Sequence, residues 1–82
     1  MALCYPNPAN QKVSIDLTDF SDDAEDFQCQ IQLFHLDGRL VQSKITNNLL
    51  EQLNVAELQN GLYFLQLSSG DKNMTEKLMI QH

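Results

Sequence analysis

Residues 27–33 read Phe27-Gln28-Cys29-Gln30-Ile31-Gln32-Leu33, with apolar and polar side chains alternating without a break. Successive side chains of an extended chain point to opposite faces. Phe27, Cys29, Ile31 and Leu33 therefore share one face, and the three glutamines share the other. A period of two over this length specifies a strand with one face buried and one in water.

The same reading extends in both directions. Lys12 to Leu17 alternates, with Val13, Ile15 and Leu17 on one face. Leu62 to Leu67 and Met74 to Ile80 read as two more strands, with Tyr63, Leu65, Leu67, Leu78 and Ile80 facing inward. Asp37-Gly38, Thr46-Asn47-Asn48, Gln59-Asn60-Gly61 and Ser68-Ser69-Gly70-Asp71 punctuate the chain between them. The intervals of about 5–9 residues suit strands better than helices. The pattern predicts an all-β fold, an Ig-like antiparallel β-sandwich of about seven short strands. One region stays open. Leu49, Leu50, Leu53 and Leu58, with Asn48 as an N-cap, fit an amphipathic helix as well as a strand.

The turn at Asp37-Gly38 can be read by register, because directly opposed residues share a face. A two-residue loop sets Leu33 opposite Gln42 and Ile31 opposite Lys44, which mixes apolar with polar. A three-residue loop, Leu36-Asp37-Gly38, pairs Leu33 with Val41, Gln32 with Gln42, Gln30 with Lys44 and Cys29 with Ile45. The second choice lines up the apolar residues and places Gly38 where a G1 bulge needs a positive φ. It also opposes Phe34 and Leu40 on the outer face. With Phe64 and Met79 they predict an outer apolar patch on a small acidic domain, unless curled strand ends and the loop after Thr46 cover it.

Length and composition narrow the function. A chain of 82 residues is one domain. No apolar run approaches the ~18–20 residues of a spanning helix. The net charge of −6 argues against nucleic acid and against anionic membranes as partners. Cys4 and Cys29 permit one disulfide but form no disulfide framework, and they lack the CxxC spacing of zinc or redox sites. They read as free thiols, with Cys29 buried as a small hydrophobe. Asp16, Asp19, Asp22, Asp23, Glu25 and Asp26 are rich in oxygen but lack the glycine and closing glutamate of a calcium loop. They read as a solvated acidic loop. His35 flanks a turn and has no nucleophile or carboxylate at a catalytic spacing. No catalytic residue, metal ligand or cofactor is expected, and the chain does not read as an enzyme.

Four motifs remain. Tyr5-Pro6-Asn7-Pro8-Ala9 opens the chain with two prolines that stiffen the approach to the first strand. Phe34, Gly38, Arg39 and Val41 form a middle block. Leu58, Gly61, Tyr63 and Phe64 form a third, and Gly70, Asp71, Lys72, Lys77 and Ile80 a last. In this order they resemble the type IX secretion system (Por secretion system) C-terminal sorting domain, type A, of Bacteroidota. The resemblance spans nearly the whole chain. It places a strand at Leu53-Asn54-Val55 in preference to the helix, followed by a short turn at Ala56-Glu57-Leu58 that plugs Leu58 into one end of the sandwich.

What the resemblance implies is an address. Such a domain is the non-catalytic tail of a larger protein. It directs cargo from the periplasm through the type IX outer-membrane translocon, and is then removed by a sortase-like peptidase. The cargo ends secreted or attached to the cell surface. The recognition motif carried over is Tyr5, Pro6, Asn7, Pro8, Gly38, Arg39, Val41, Gly61, Tyr63 and Lys77. Residues 1–4 read as the end of a linker or an added start, and residues 5–82 as the sorting domain. Its partners are the translocon and the peptidase, with no direct membrane insertion. The isolated sandwich has edges open to dimerisation or strand swapping. The rival reading is a retained adhesion or carbohydrate-binding β-sandwich module, against which the absence of Trp speaks.

Overall fold

A computed structural model describes residues 3–5, 11–18 and 27–82. The Pro6-Asn7-Pro8 motif and residues 19–26 of the acidic loop lie outside the described residues.

The described residues form seven strands: β1 (Leu3–Tyr5), β2 (Lys12–Asp16), β3 (Cys29–His35), β4 (Leu40–Thr46), β5 (Leu50–Asn54), β6 (Gly61–Ser69) and β7 (Lys72–Ile80). They form two antiparallel sheets. The smaller has the order β1-β2-β5 and the larger β4-β3-β6-β7. The fold is thus the all-β antiparallel sandwich that the alternation predicts. β1 opens at Leu3, two residues before the expected domain start, and its Cys4 belongs to the core.

The core follows the period of two. Val13, Ile15 and Leu17 from β2 and its end face Cys29, Ile31 and Leu33 from β3, with Tyr63, Leu65, Leu67, Leu78 and Ile80 beside them. Phe27, Val41, Leu58 and Met74 pack partly against this cluster. Both cysteines are free thiols, and both are buried. The Leu-rich region is a strand, since Leu50–Asn54 pairs with β2 and buries Leu53 and then Val55. The turn after it places Leu58 against the core. Tertiary pairing has overridden a local sequence that a helix would also accept.

The β3–β4 turn corrects one expectation. The three-residue loop is present: the His35 N–H donates to Arg39 O at 2.8 Å and the Gly38 N–H to His35 O at 2.8 Å. Gly38 has φ of +94°. Phe34 opposes Leu40, as expected. Beyond that pair a β-bulge at Val41 shifts the register by one residue. Leu33 then faces Gln42, Ile31 faces Lys44, Gln30 faces Ile45 and Cys29 faces Thr46. The expected pairs Leu33–Val41, Gln32–Gln42, Gln30–Lys44 and Cys29–Ile45 do not form. The reason lies in the opposite sheet. β4 is an edge strand, and its inward side chains meet the polar edge of β5 rather than the middle of the core.

Candidate functional site

Gln42, Lys44 and Thr46 point inward from β4, opposite buried residues of β3. Each reaches β5. The Gln42 side-chain amide donates to Asn54 O at 2.7 Å. Lys44 Nζ lies 3.1 Å from Glu51 Oε1, and Thr46 Oγ1 donates to Glu51 Oε2 at 2.6 Å. Glu51 also accepts from the Asn48 side chain and from the Gln52 N–H at 3.0 Å. These donors, the Thr46 hydroxyl foremost, pull the Glu51 carboxyl down from its ordinary 4.5 to about 2. The result is a polar seam that closes one side of the sandwich. The groove over it is open, lined by Gln42, Ser43, Lys44, Gln52, Leu53 and Asn54.

The outer face of the larger sheet is built differently. The strand registers align Leu40, Phe34, Phe64 and Lys77 in one row across four strands, with Leu62 beside Met79 in the next. Phe34, Phe64 and Leu62 are half-buried, whereas Leu40 and Met79 are exposed by 47% and 41%. Further along, the same face carries Gln30, Gln32, Gln66, Ser43 and Thr75. No carboxylate belongs to these rows among the described residues, although the chain has eleven. Asp37, in the turn between β3 and β4, accepts from the Arg39 N–H at 2.9 Å and lies 3.3 Å from His35 Nδ1.

The remaining motif residues serve turns and packing. Gly38 supplies the left-handed position of the hairpin loop. Gly61 starts β6 with φ of +151°. Tyr63 is buried, donates its hydroxyl to Gln59 O at 2.8 Å, and meets the His35 ring edge-on at 5.3 Å. Val41 is the bulged residue. Tyr5 lies on the smaller sheet, exposed by 44%, while Lys77 lies on the outer face of the larger one. The structure therefore does not gather the motif in one place. It groups Phe34, Leu40, Phe64 and Met79, and separates Tyr5 from them. The seam was not anticipated, because its partners are far apart in sequence and its register depends on the bulge. Among the described residues no three His, Cys, Asp or Glu side chains cluster as a metal site. No described helix is long and apolar enough to cross a membrane.

The described residues define a small antiparallel β-sandwich with a hydrogen-bonded seam on one side and an apolar row outside. Over residues 3–81 the sequence matches the family model of the secretion system C-terminal sorting domain, and the chain belongs to that family. It carries a C-terminal sorting signal of type IX secretion, which implies interaction with that machinery and export toward the cell surface or beyond. The family is non-catalytic. A search of curated proteins returns no match.

Proposed function

We propose that this domain is the tail by which a larger protein, once in the periplasm, is delivered to the type IX outer-membrane translocon. A sortase-like peptidase then removes it, and the cargo is released or attached to the surface. The observation that carries this reading is the family match along almost the entire chain. The chemistry of removal belongs to the peptidase. The domain contributes a folded surface, and Phe34, Leu40, Phe64 and Met79 are the residues proposed to meet the machinery. Apolar side chains grouped on an outer face, half-buried at Phe34 and Phe64 and exposed at Leu40 and Met79, are commonly retained for contact. Among the described residues that face carries no carboxylate, so these rows lack the repulsion that a −6 chain offers elsewhere to an acidic partner. Of the motif residues, Arg39 and Lys77 are proposed as contacts, while Gly38, Gly61 and Tyr63 act through the fold.

The test is a fusion. The domain is joined to a periplasmic reporter in a cell with a working type IX system. Reporter in the medium or on the surface is the expected result. A reporter that stays in the periplasm would overturn the proposal.

A further inference from the structure

β7 is an edge strand of the larger sheet, and its ladder to β6 ends at the pair Gly61–Ile80. The direction of its main-chain groups follows from the β3–β4 turn. The His35 N–H is aimed at the β4 side, where it meets Arg39 O. Alternation then turns the groups of Phe34 toward β6, those of Phe64 toward β3, and those of Tyr63 and Gly61 toward β7. Gly61 and Ile80 are therefore a bonded pair, and two residues on the His82 N–H has the same direction. The register would carry it to Gln59, but Gln59 O already accepts from the Tyr63 hydroxyl at 2.8 Å. The His82 N–H donates instead to the Asn60 side chain, at 2.9 Å from Oδ1.

His82 makes a second bond, from its ring. Nε2 lies 2.7 Å from Leu58 O. A carbonyl only accepts, so Nε2 carries the proton. The loop that receives both bonds is fixed by other means. The Leu58 N–H donates to Val55 O at 3.1 Å, the Leu58 side chain packs against the core, and Tyr63 holds Gln59. The loop is thus the anchor, and the end of β7 is the element it positions. The last pair of a ladder opens more readily than its middle. Met79, exposed by 41%, stands one residue before that pair, beside Leu62.

We propose that His82 is a positioning residue of the sorting signal. Its two bonds hold the end of β7 closed on β6, and so keep Met79 beside Leu62 on the face that meets the export machinery. The inference rests on the sorting function and the contact face proposed above. Both bonds are exposed and lie outside the core. Their loss should therefore open the strand end without unfolding the sandwich.

His82→Ala combined with Asn60→Ala removes both bonds. His82→Gln keeps the N–H, and its side-chain amide replaces Nε2 as donor to Leu58 O. Met79→Ser alters the contact and leaves both bonds. Each is read in the reporter fusion beside the native domain. Amide exchange is followed at Ile80 and at Leu65, in the middle of the same sheet. In the double variant Ile80 should exchange at least about fivefold faster, with Leu65 unchanged, and export should fall at least about fivefold. His82→Gln should match the native chain in both. Met79→Ser should lower export with Ile80 exchange unchanged. If the native fusion is not exported, the sorting function itself fails, and this inference with it. If Met79→Ser is exported as the native chain is, the contact face fails at Met79, and the inference again falls with it. If Met79→Ser is impaired but the double variant is exported normally, the positioning role of His82 is overturned. Exchange that quickens at Leu65 as much as at Ile80 would make the bonds part of global stability and overturn it likewise.

Discussion

Lys44 Nζ on β4 lies 3.1 Å from Glu51 Oε1 on β5, and this pair ties the edge of the larger sheet to the edge of the smaller one. The two residues are seven positions apart, yet they belong to different sheets. Thr46 completes the tie from the β4 side.

Acid should loosen this seam. The Glu51 carboxyl is lowered from 4.5 to about 2 in the folded chain, so the unfolded state binds its proton more readily. Its contribution is complete above about pH 4.5 and is lost as pH falls toward 2. Asp16 and Asp37 are also lowered, by bonds from Thr18 and Arg39, and act in the same direction. Melting temperature should therefore fall with acidification. Glu51→Gln should flatten, without abolishing, that dependence, and an unchanged profile would remove Glu51 as its main source.

Tyr63→Phe should keep the ring in the core and lose only the bond to Gln59 O. The expected cost is about 1 kcal/mol, the usual net worth of such a bond. Urea unfolding with an unchanged slope is the measurement.

Phe34→Ser combined with Leu40→Ser separates surface from core. Neither residue belongs to the core cluster. The pair should cost less than the single change Leu65→Ala, for which about 2–5 kcal/mol is expected at a fully buried position. If the double variant unfolds in milder urea than Leu65→Ala, the outer row is structural. Normal export of a stable double variant would remove it as a contact surface.

Both thiols should be protected in the native chain. Burial pushes the Cys29 thiol up, and burial together with the Glu76 carboxylate pushes up that of Cys4. The thiolate is the reactive form. Alkylation at neutral pH should be slow in buffer and rapid in urea, and equal rates in both would contradict the burial.

How much of this was legible in the sequence depends on what each residue's fate depends on. Val13, Ile15, Cys29, Ile31, Leu33, Tyr63, Leu65, Leu67, Leu78 and Ile80 announce themselves by strict alternation and are all buried. A half-buried strand leaves that mark in the chain whatever it later pairs with. Gly38 is equally plain, because the loop length demands a positive φ there. The four motifs could be placed in order, which was enough to suggest the family. Other features were settled only in three dimensions. Leu50–Asn54 became a strand because β2 offers it a free edge. The β4 register slipped by one at Val41 because Gln42, Lys44 and Thr46 find hydrogen-bonding partners on β5, which pattern-matching against β3 alone does not include. Local periodicity records which side chains avoid water. Which partner satisfies the polar remainder is decided by what the fold brings opposite to it.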